Sequence, residues 1–263
     1  MRARQWWYFL ALPLAGWDRG APLASAVACA ARGLAIAFCV LAFGYLLNAV
    51  ADRDMDHDRR KNPLVGTSPR SFTAPIVALV ALALALAATG SLTVQLATAT
   101  SLASGFVYSA GPRLKAVPLV GTWLNVMSFG PLLAVGTAEA APPHLVPVGA
   151  AFAALLVQNQ LIHEAADAAE DRDGGVQTTF VVLGQVGVGF LALLAGAAVA
   201  WATLGLPLGP ISTVVAVLVF AGAFPALLVG RCHDAVAMRS LRRLHRVAAA
   251  ATCALALGSA LLA

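Results

Sequence analysis

Gly33-Leu-Ala-Ile-Ala-Phe-Cys-Val-Leu-Ala-Phe-Gly-Tyr-Leu-Leu47 carries no charge and runs straight into Asn48-Ala-Val-Ala-Asp52-Arg-Asp54-Met-Asp56-His-Asp58-Arg59-Arg60-Lys61. An apolar run that ends in four carboxylates and four basic residues reads as a membrane helix with a charged mouth. Asn48, Asp52 and Asp56 stand at i, i+4 and i+8. At about 100° per residue they fall within about 80° on one helix face. A second acidic stretch, His163-Glu164-Ala-Ala-Asp167-Ala-Ala-Glu170-Asp171-Arg172-Asp173, closes a later apolar segment. There Glu164, Asp167 and Asp171 follow i, i+3 and i+7, again one face, spread over about 60°. The two stretches hold nine of the twelve acids in the chain. Carboxylates are costly near hydrocarbon, so their concentration at two helix mouths points to a functional site.

Composition sets the class. The chain of 263 residues is 60% hydrophobic and 11% charged, against about 25% charged for soluble domains. Mean hydropathy is +0.83, and long apolar stretches recur along the whole length. The expected fold is all-α: a polytopic membrane protein of a single domain, 1–263, with about nine transmembrane helices enclosing a central apolar cavity open at the cytoplasmic side. Cys29, Cys39, Cys232 and Cys253 are scattered without a Cys-x-x-Cys pair. They read as small buried hydrophobes rather than metal ligands or disulfides.

The spans can be placed in order. Arg2-Ala-Arg4-Gln5-Trp6-Trp7-Tyr8 opens the chain. Basic and aromatic residues together mark an interfacial anchor rather than a cleaved leader. The first span follows over Trp6–Gly16, and the second covers about 23–51. Apolar segments at about 72–89 and 92–109 are joined by the minimal turn Thr89-Gly90-Ser91. Tyr108-Ser109-Ala-Gly111-Pro112-Arg113-Leu114-Lys115 breaks the helix, because Gly-Pro cannot continue one. Further spans are expected at about 118–137, 144–165, 179–203, 208–230 and 244–262.

Charge orients this set. With nine spans, the amino terminus and the loops after spans 2, 4, 6 and 8 lie on one side. Those regions carry fifteen of the seventeen Lys and Arg residues, leaving only Arg19 and Arg32. Such asymmetry places them in the cytoplasm. Both acidic stretches and the Arg113/Lys115 turn are therefore expected at the cytoplasmic face of a cell membrane.

Oxygen ligands without Cys and with few His suit Mg²⁺, which typically uses a few carboxylates plus substrate phosphates. Two clusters, each able to hold one ion, would clamp a diphosphate, with Arg113, Lys115, Arg59, Arg60 or Lys61 as cationic donors. A diphosphate at the mouth and an apolar cavity below match a prenyl diphosphate. Metal ions would stabilise the leaving pyrophosphate, and an acceptor would attack the resulting carbocation.

These residues also carry a resemblance. Asn48-x-x-x-Asp52-x-x-x-Asp56 and Asp167-x-x-x-Asp171, with Glu164 three residues earlier, resemble the two aspartate-rich motifs of the UbiA superfamily of intramembrane prenyltransferases. The Tyr108-Ser109…Pro112-Arg113-Leu114-Lys115 turn resembles that family's basic loop between its fourth and fifth helices. Asp171-Arg172-Asp173…Thr178-Thr179…Gly184 resembles the stretch after its second motif, and Arg2-x-x-Gln5-Trp6 the start of several members. The resemblance covers nearly the whole chain and implies nine helices, Mg²⁺ and a prenyl diphosphate donor. The implied catalytic residues are Asp52, Asp56, Asp167 and Asp171, with Asn48 and Glu164 completing the metal set. Arg113, Lys115, Arg60 and Lys61 are the expected substrate contacts; Tyr108 is either a further phosphate donor or an interfacial aromatic, and Asn125 either lines the cavity to meet substrate or bonds across helices. Three positions depart from the family pattern. Ala49 replaces a frequent Asp, Asn62-Pro63 replaces an Arg-Pro, and Glu164 stands where many members have Asp.

The expected activity is Mg²⁺-dependent transfer of a prenyl group to a small, aromatic acceptor in the bilayer, with release of pyrophosphate. No nucleic-acid partner is expected. A membrane terpene cyclase of the same type would use the same ionisation with no external acceptor. The intact Asp52 and Asp56 favour transfer. A secondary transporter would want its acids at broken helices near the midplane, not at helix ends. Arg113 and Lys115 also fit as positive-inside determinants, and Arg239–Arg246 as an anchor to anionic lipid. Gln158, Asn159 and Gln160 either line the cavity or bond across helices.

Overall fold

The computed structural model describes residues 6–18, 20–54, 59, 62–139, 141–142, 144–204, 240–247 and 258. Six α-helices are assigned: α1 (Leu23–Asp52), α2 (Arg70–Ala88), α3 (Leu92–Ser109), α4 (Val120–Phe129), α5 (Leu145–Asp173) and α6 (Thr179–Leu204). Among the described residues there is no strand. Residues 240–247 are helical as well. Three helices, Leu23–Asp52, Arg70–Ala88 and Thr179–Ala197, are long and apolar enough to cross a membrane. The expected spans at 208–230 and most of 244–262 lie outside the described residues, as do Asp56, Arg60 and Lys61.

By internal contacts the chain divides into two units, 1–113 with 127–142 and 114–126 with 143–263. In the first, α1 is the axis. Ile36, Ala37, Val40, Leu41 and Phe43 of α1 pack with Ala83 and Ala87 of α2, Val94 and Leu102 of α3, and Leu132 and Val135. Thirty residues at about 1.5 Å each make α1 about 45 Å long, against a hydrocarbon thickness of about 30 Å. Its last turns, with Asn48 and Asp52, have helix to spare beyond an apolar slab.

The first expected span, Trp6–Gly16, forms a 3₁₀ helix over Trp7–Gly16. Pro13 inside it has no N–H to give, which weakens a regular α ladder there. This 3₁₀ helix packs on α1 and on the segment after α4. Gly136 comes so close that an added Cβ would overlap the Pro13 carbonyl oxygen. Backbones this near require small residues, the usual solution where apolar helices meet in a membrane. Arg32 ties the same region together. Its guanidinium donates to the Thr89 carbonyl at 3.2 Å and to the Thr137 carbonyl at 3.0 Å. Thr89 also closes the α2–α3 turn, its hydroxyl donating to the Leu86 carbonyl at 2.8 Å.

The expected fifth span is broken. α4 ends at Phe129 and the chain tightens into a 3₁₀ turn over Gly130–Leu133. Pro131 at the start of that turn denies the ladder a donor, so 118–137 is not one continuous helix.

The second unit is built on the α5–α6 hairpin. Leu161, Ile162, Ala165 and Ala168 of α5 pack on Phe180, Val188 and Ala192 of α6, with Leu241 against them. α5 runs on to Asp173, eight residues beyond the expected end of its apolar part. The turn is closed by the Gly174 N–H on the Glu170 carbonyl and the Val176 N–H on the Asp171 carbonyl, at 2.9 and 2.7 Å. α6 is interrupted at Gly184, whose φ of 63° and ψ of −175° only glycine adopts readily.

Candidate functional site

In the first unit the candidate residues gather where the end of α1 meets the end of α3. Asp52 is the last residue of α1. Its carboxylate accepts from an Arg113 guanidinium nitrogen at 2.7 Å, with the two side chains 18% and 34% exposed. One turn earlier, Asn48 Oδ1 accepts from the Ser109 hydroxyl at 3.3 Å. Tyr108 lies beside Ser109 in the last turn of α3, half-buried. Gly111-Pro112 then breaks the helix and Arg113 takes a left-handed φ of 50°. That conformation is uncommon outside glycine and is found at sites where the surroundings hold the chain. The ion pair to Asp52 is one such hold.

Asp54 behaves differently. It leaves the helix face and pairs with its neighbour Arg53 through two contacts of 3.0 and 2.9 Å, at 75% exposure. An exposed pair between chain neighbours contributes little. The loop that follows returns to α1 through Asn62, which is buried. Its amide donates to the Ala49 carbonyl at 2.8 Å and its oxygen accepts from the Leu64 N–H at 3.1 Å. Asn62 thereby satisfies a carbonyl in the last turn of α1. The sequence marked this position only as a departure from a family pattern. The clue was the Asn-Pro dipeptide, whose Asn readily bonds the backbone two residues on.

In the second unit the i, i+3, i+7 face of α5 is helical throughout. Asp167 is 40% exposed and lies 3.0 Å from His163 Nδ1, an ion pair only when that ring is protonated and without hydrogen-bond alignment. Asp171 lies beyond the apolar part of α5. Its Oδ2 accepts from the Thr178 hydroxyl at 3.3 Å. Partial burial raises its pKa above the ordinary carboxylate value; the Thr178 bond opposes that rise, and the charges of Asp167 and Glu164 add to it.

Glu164 is unlike either aspartate. It is buried, and its two oxygens receive three protein donors: Thr122 Oγ1 at 3.3 Å and Gln160 Nε2 at 3.2 Å on one, the Phe180 N–H at 3.1 Å on the other. Gln160 Oε1 in turn accepts from Asn125 Nδ2 at 2.7 Å, so Asn125 is linked to Glu164 through one amide. Gln158 donates to the Ala192 carbonyl at 3.4 Å and meets His245 at 3.2 Å. Gln158 and Gln160 thus bond across helices, the second of the two roles their sequence left open. Lys115 occupies the short 3₁₀ turn Leu114–Ala116, half-buried, ahead of Leu119 and α4. Ser109 entered the sequence reading only as part of the Tyr108–Lys115 turn and Thr122 not at all, because a lone hydroxyl on an apolar helix carries no spacing signal.

No three His, Cys, Asp or Glu side chains converge into a ready-made metal centre among the described residues. Asp56 falls outside them. The donor set nevertheless fits Mg²⁺, which takes one or two carboxylates and completes its shell with water and substrate phosphate rather than with an all-protein cage. Asp167 and Asp171 keep solvent-accessible carboxylates one turn apart, and Asp52 keeps its carboxylate at a helix end.

Comparison with known proteins gives a consistent picture. The model of the UbiA prenyltransferase family matches residues 6–247. A solved UbiA homologue from Archaeoglobus fulgidus, bound to GPP and Mg²⁺, is 25% identical. It superposes with a TM-score of 0.73 over 98% of this chain and 96% of that one. A UbiA homologue from Aeropyrum pernix K1 is 21% identical, with a TM-score of 0.69 over 100% and 98% of the two chains. Digeranylgeranylglyceryl phosphate synthase shares the fold at 12% identity, with a TM-score of 0.76 over 97% and 92%. No curated protein matches the chain.

Proposed function

The chain belongs to the UbiA prenyltransferase family, and from that premise we propose that it transfers a prenyl group from a prenyl diphosphate to a small, aromatic acceptor within the membrane, releasing pyrophosphate. The observation that carries this reading is the state of the two acidic helix ends. Asp52, paired with Arg113 at 2.7 Å, and Asp171, bonded by Thr178 at 3.3 Å, are held in place by basic or hydroxyl side chains rather than left to solvent. The Archaeoglobus fulgidus homologue bound to GPP and Mg²⁺ supports the same donor and the same ion.

In this reading Asp52 and Asp56, with Asn48, hold one Mg²⁺, and Asp167 and Asp171 hold another. When bound, Mg²⁺ neutralises the charge that builds on departing pyrophosphate and so lowers the barrier to breaking the C1–O bond. Arg113 has a second task. It neutralises Asp52 while no diphosphate is present, and it turns to a diphosphate oxygen when one arrives. Lys115, Arg60 and Lys61 supply further positive charge, and the Tyr108 hydroxyl donates to the diphosphate. Asn125 orients the acceptor. The apolar helices enclose the hydrocarbon chain and keep water from the cation. The charge distribution supports a site opening to the cytoplasm in a bacterial cell membrane.

The test is product analysis. Purified protein with Mg²⁺ and a prenyl diphosphate alone should turn over slowly, and a phenolic acceptor should raise pyrophosphate release and yield a prenylated phenol. Rapid conversion of the diphosphate alone into a cyclic hydrocarbon or alcohol would replace the transferase by a cyclase.

A further inference from the structure

Glu164 is a buried carboxylate whose two oxygens take three neutral protein donors. Oε1 accepts from Thr122 and Gln160, and Oε2 accepts from the Phe180 N–H. A buried carboxylate so satisfied by neutral donors is a structural tie, because stripping any one donor leaves charge without compensation in a low-dielectric setting. The Phe180 N–H belongs to the first turn of α6, where backbone donors are orphaned and a negative charge is welcome. Glu164 therefore caps α6 from the neighbouring helix, a long-range substitute for a side-chain N-cap.

The tie extends back along the chain from Phe180. Thr179, its neighbour, lies 3.2 Å from the Thr122 hydroxyl and accepts from the Leu119 N–H at 3.0 Å. Leu119 holds a φ of 62°, an outlier for a bulky side chain that persists only when its surroundings fix it. Thr178, one residue earlier, is the donor to Asp171. Three consecutive residues, 178–180, thus join Asp171, the turn before α4 and Glu164.

We propose that Glu164 is a positioning residue for Asp171 and not itself a metal ligand: by fixing Phe180 and Thr179 it holds Thr178 where its hydroxyl orients the Asp171 carboxylate. The proposal deepens the prenyl-transfer reading and rests on it for the role of Asp171. Glu164→Gln keeps the tie. Its amide oxygen accepts from the Phe180 N–H, while its NH₂ meets the Thr122 hydroxyl and the Gln160 carbonyl once the Gln160 and Asn125 amides have flipped together. Glu164→Ala loses it.

Two measurements on purified protein in detergent micelles decide the matter, and neither requires turnover. Hydrogen exchange over 176–182 reports the tie, and electron paramagnetic resonance of Mn²⁺ titrated with inorganic pyrophosphate reports the metal site. Glu164→Ala should speed exchange in that segment about 10-fold and weaken Mn²⁺ binding about 10-fold. Glu164→Gln should leave both within about threefold of the parent. Asp171→Asn should weaken Mn²⁺ at least about 10-fold with exchange unchanged. If Glu164→Ala does not fold, Thr122→Val serves in its place, with faster exchange and weaker Mn²⁺ binding expected. The proposal is overturned if Glu164→Gln weakens Mn²⁺ as much as Asp171→Asn while exchange stays slow, because Glu164 is then a ligand. Unchanged exchange in Glu164→Ala or Thr122→Val overturns the tie. Absence of Mn²⁺ binding by the parent protein brings down the metal reading and the positioning role with it, whereas the exchange arm still decides the tie.

Discussion

Carboxylates of the same kind have been given different work by their neighbours. Asp52 at a helix end with Arg113 2.7 Å away and Asp54 two residues on, folded back on Arg53 at 75% exposure, differ in surroundings rather than chemistry. Asp52→Asn or Asp171→Asn should cut turnover at least ~100-fold, because each removes a carboxylate from the ion that stabilises leaving pyrophosphate. Asp54→Asn should cost less than about threefold, in line with an exposed ion pair. Equal losses at all three positions, in a steady-state assay, would mean that the facial assignment is wrong. The spacing i, i+4, i+8 was enough to separate Asp52 from Asp54. It was not enough to separate Glu164 from Asp167 and Asp171, because periodicity reports which face a residue occupies and not which donors wait there. Arg32 makes the same point. Its charge left it outside the topological pattern, and only the structure places it on the Thr89 and Thr137 carbonyls. Arg32→Leu should destabilise the protein by about 2 kcal/mol, seen as a lower melting temperature in detergent.

At the scale of elements, apolar length and turn residues read well. The expected spans 23–51, 72–89 and 92–109 became Leu23–Asp52, Arg70–Ala88 and Leu92–Ser109. Hydrophobicity failed where helix and hydrocarbon part company. α5 continues through its acidic end to Asp173 because helix formation there depends on Ala and Glu propensity and not on lipid. The segment 118–137 departs for the opposite reason: it is apolar enough to read as one helix, but Pro131 interrupts the regular ladder. Close approaches were also hidden, since nothing in the sequence says that Gly136 faces Pro13. Gly136→Ala should cost about 1–3 kcal/mol, as overpacking does. Gly184→Ala should cost a similar 1–3 kcal/mol by straining the interruption in α6. Unfolding midpoints for both variants equal to that of the parent would contradict the described packing.

For the whole molecule, the fifteen-of-seventeen split of Lys and Arg predicts topology. Single cysteines replacing Glu139 or Gly205 should react with an impermeant thiol reagent added to sealed cells, and cysteines replacing Asp58 or Asp173 should not. Labelling of the second pair from outside would invert the orientation. The family was legible because two acidic clusters, a basic turn and a membrane composition had to be explained together. The acceptor was not, because an amide such as Asn125, which donates to Gln160, carries no sign in the sequence of whether it meets a ligand or a neighbouring helix. The central claim is that binding of a prenyl diphosphate requires Mg²⁺ and the carboxylates of both acidic helix ends, and equilibrium binding of radiolabelled geranyl diphosphate to the purified protein measures it most directly. Saturable binding that requires Mg²⁺ and is lost in both Asp52→Asn and Asp171→Asn is the predicted result; binding that is indifferent to Mg²⁺, or that survives either substitution intact, would contradict it.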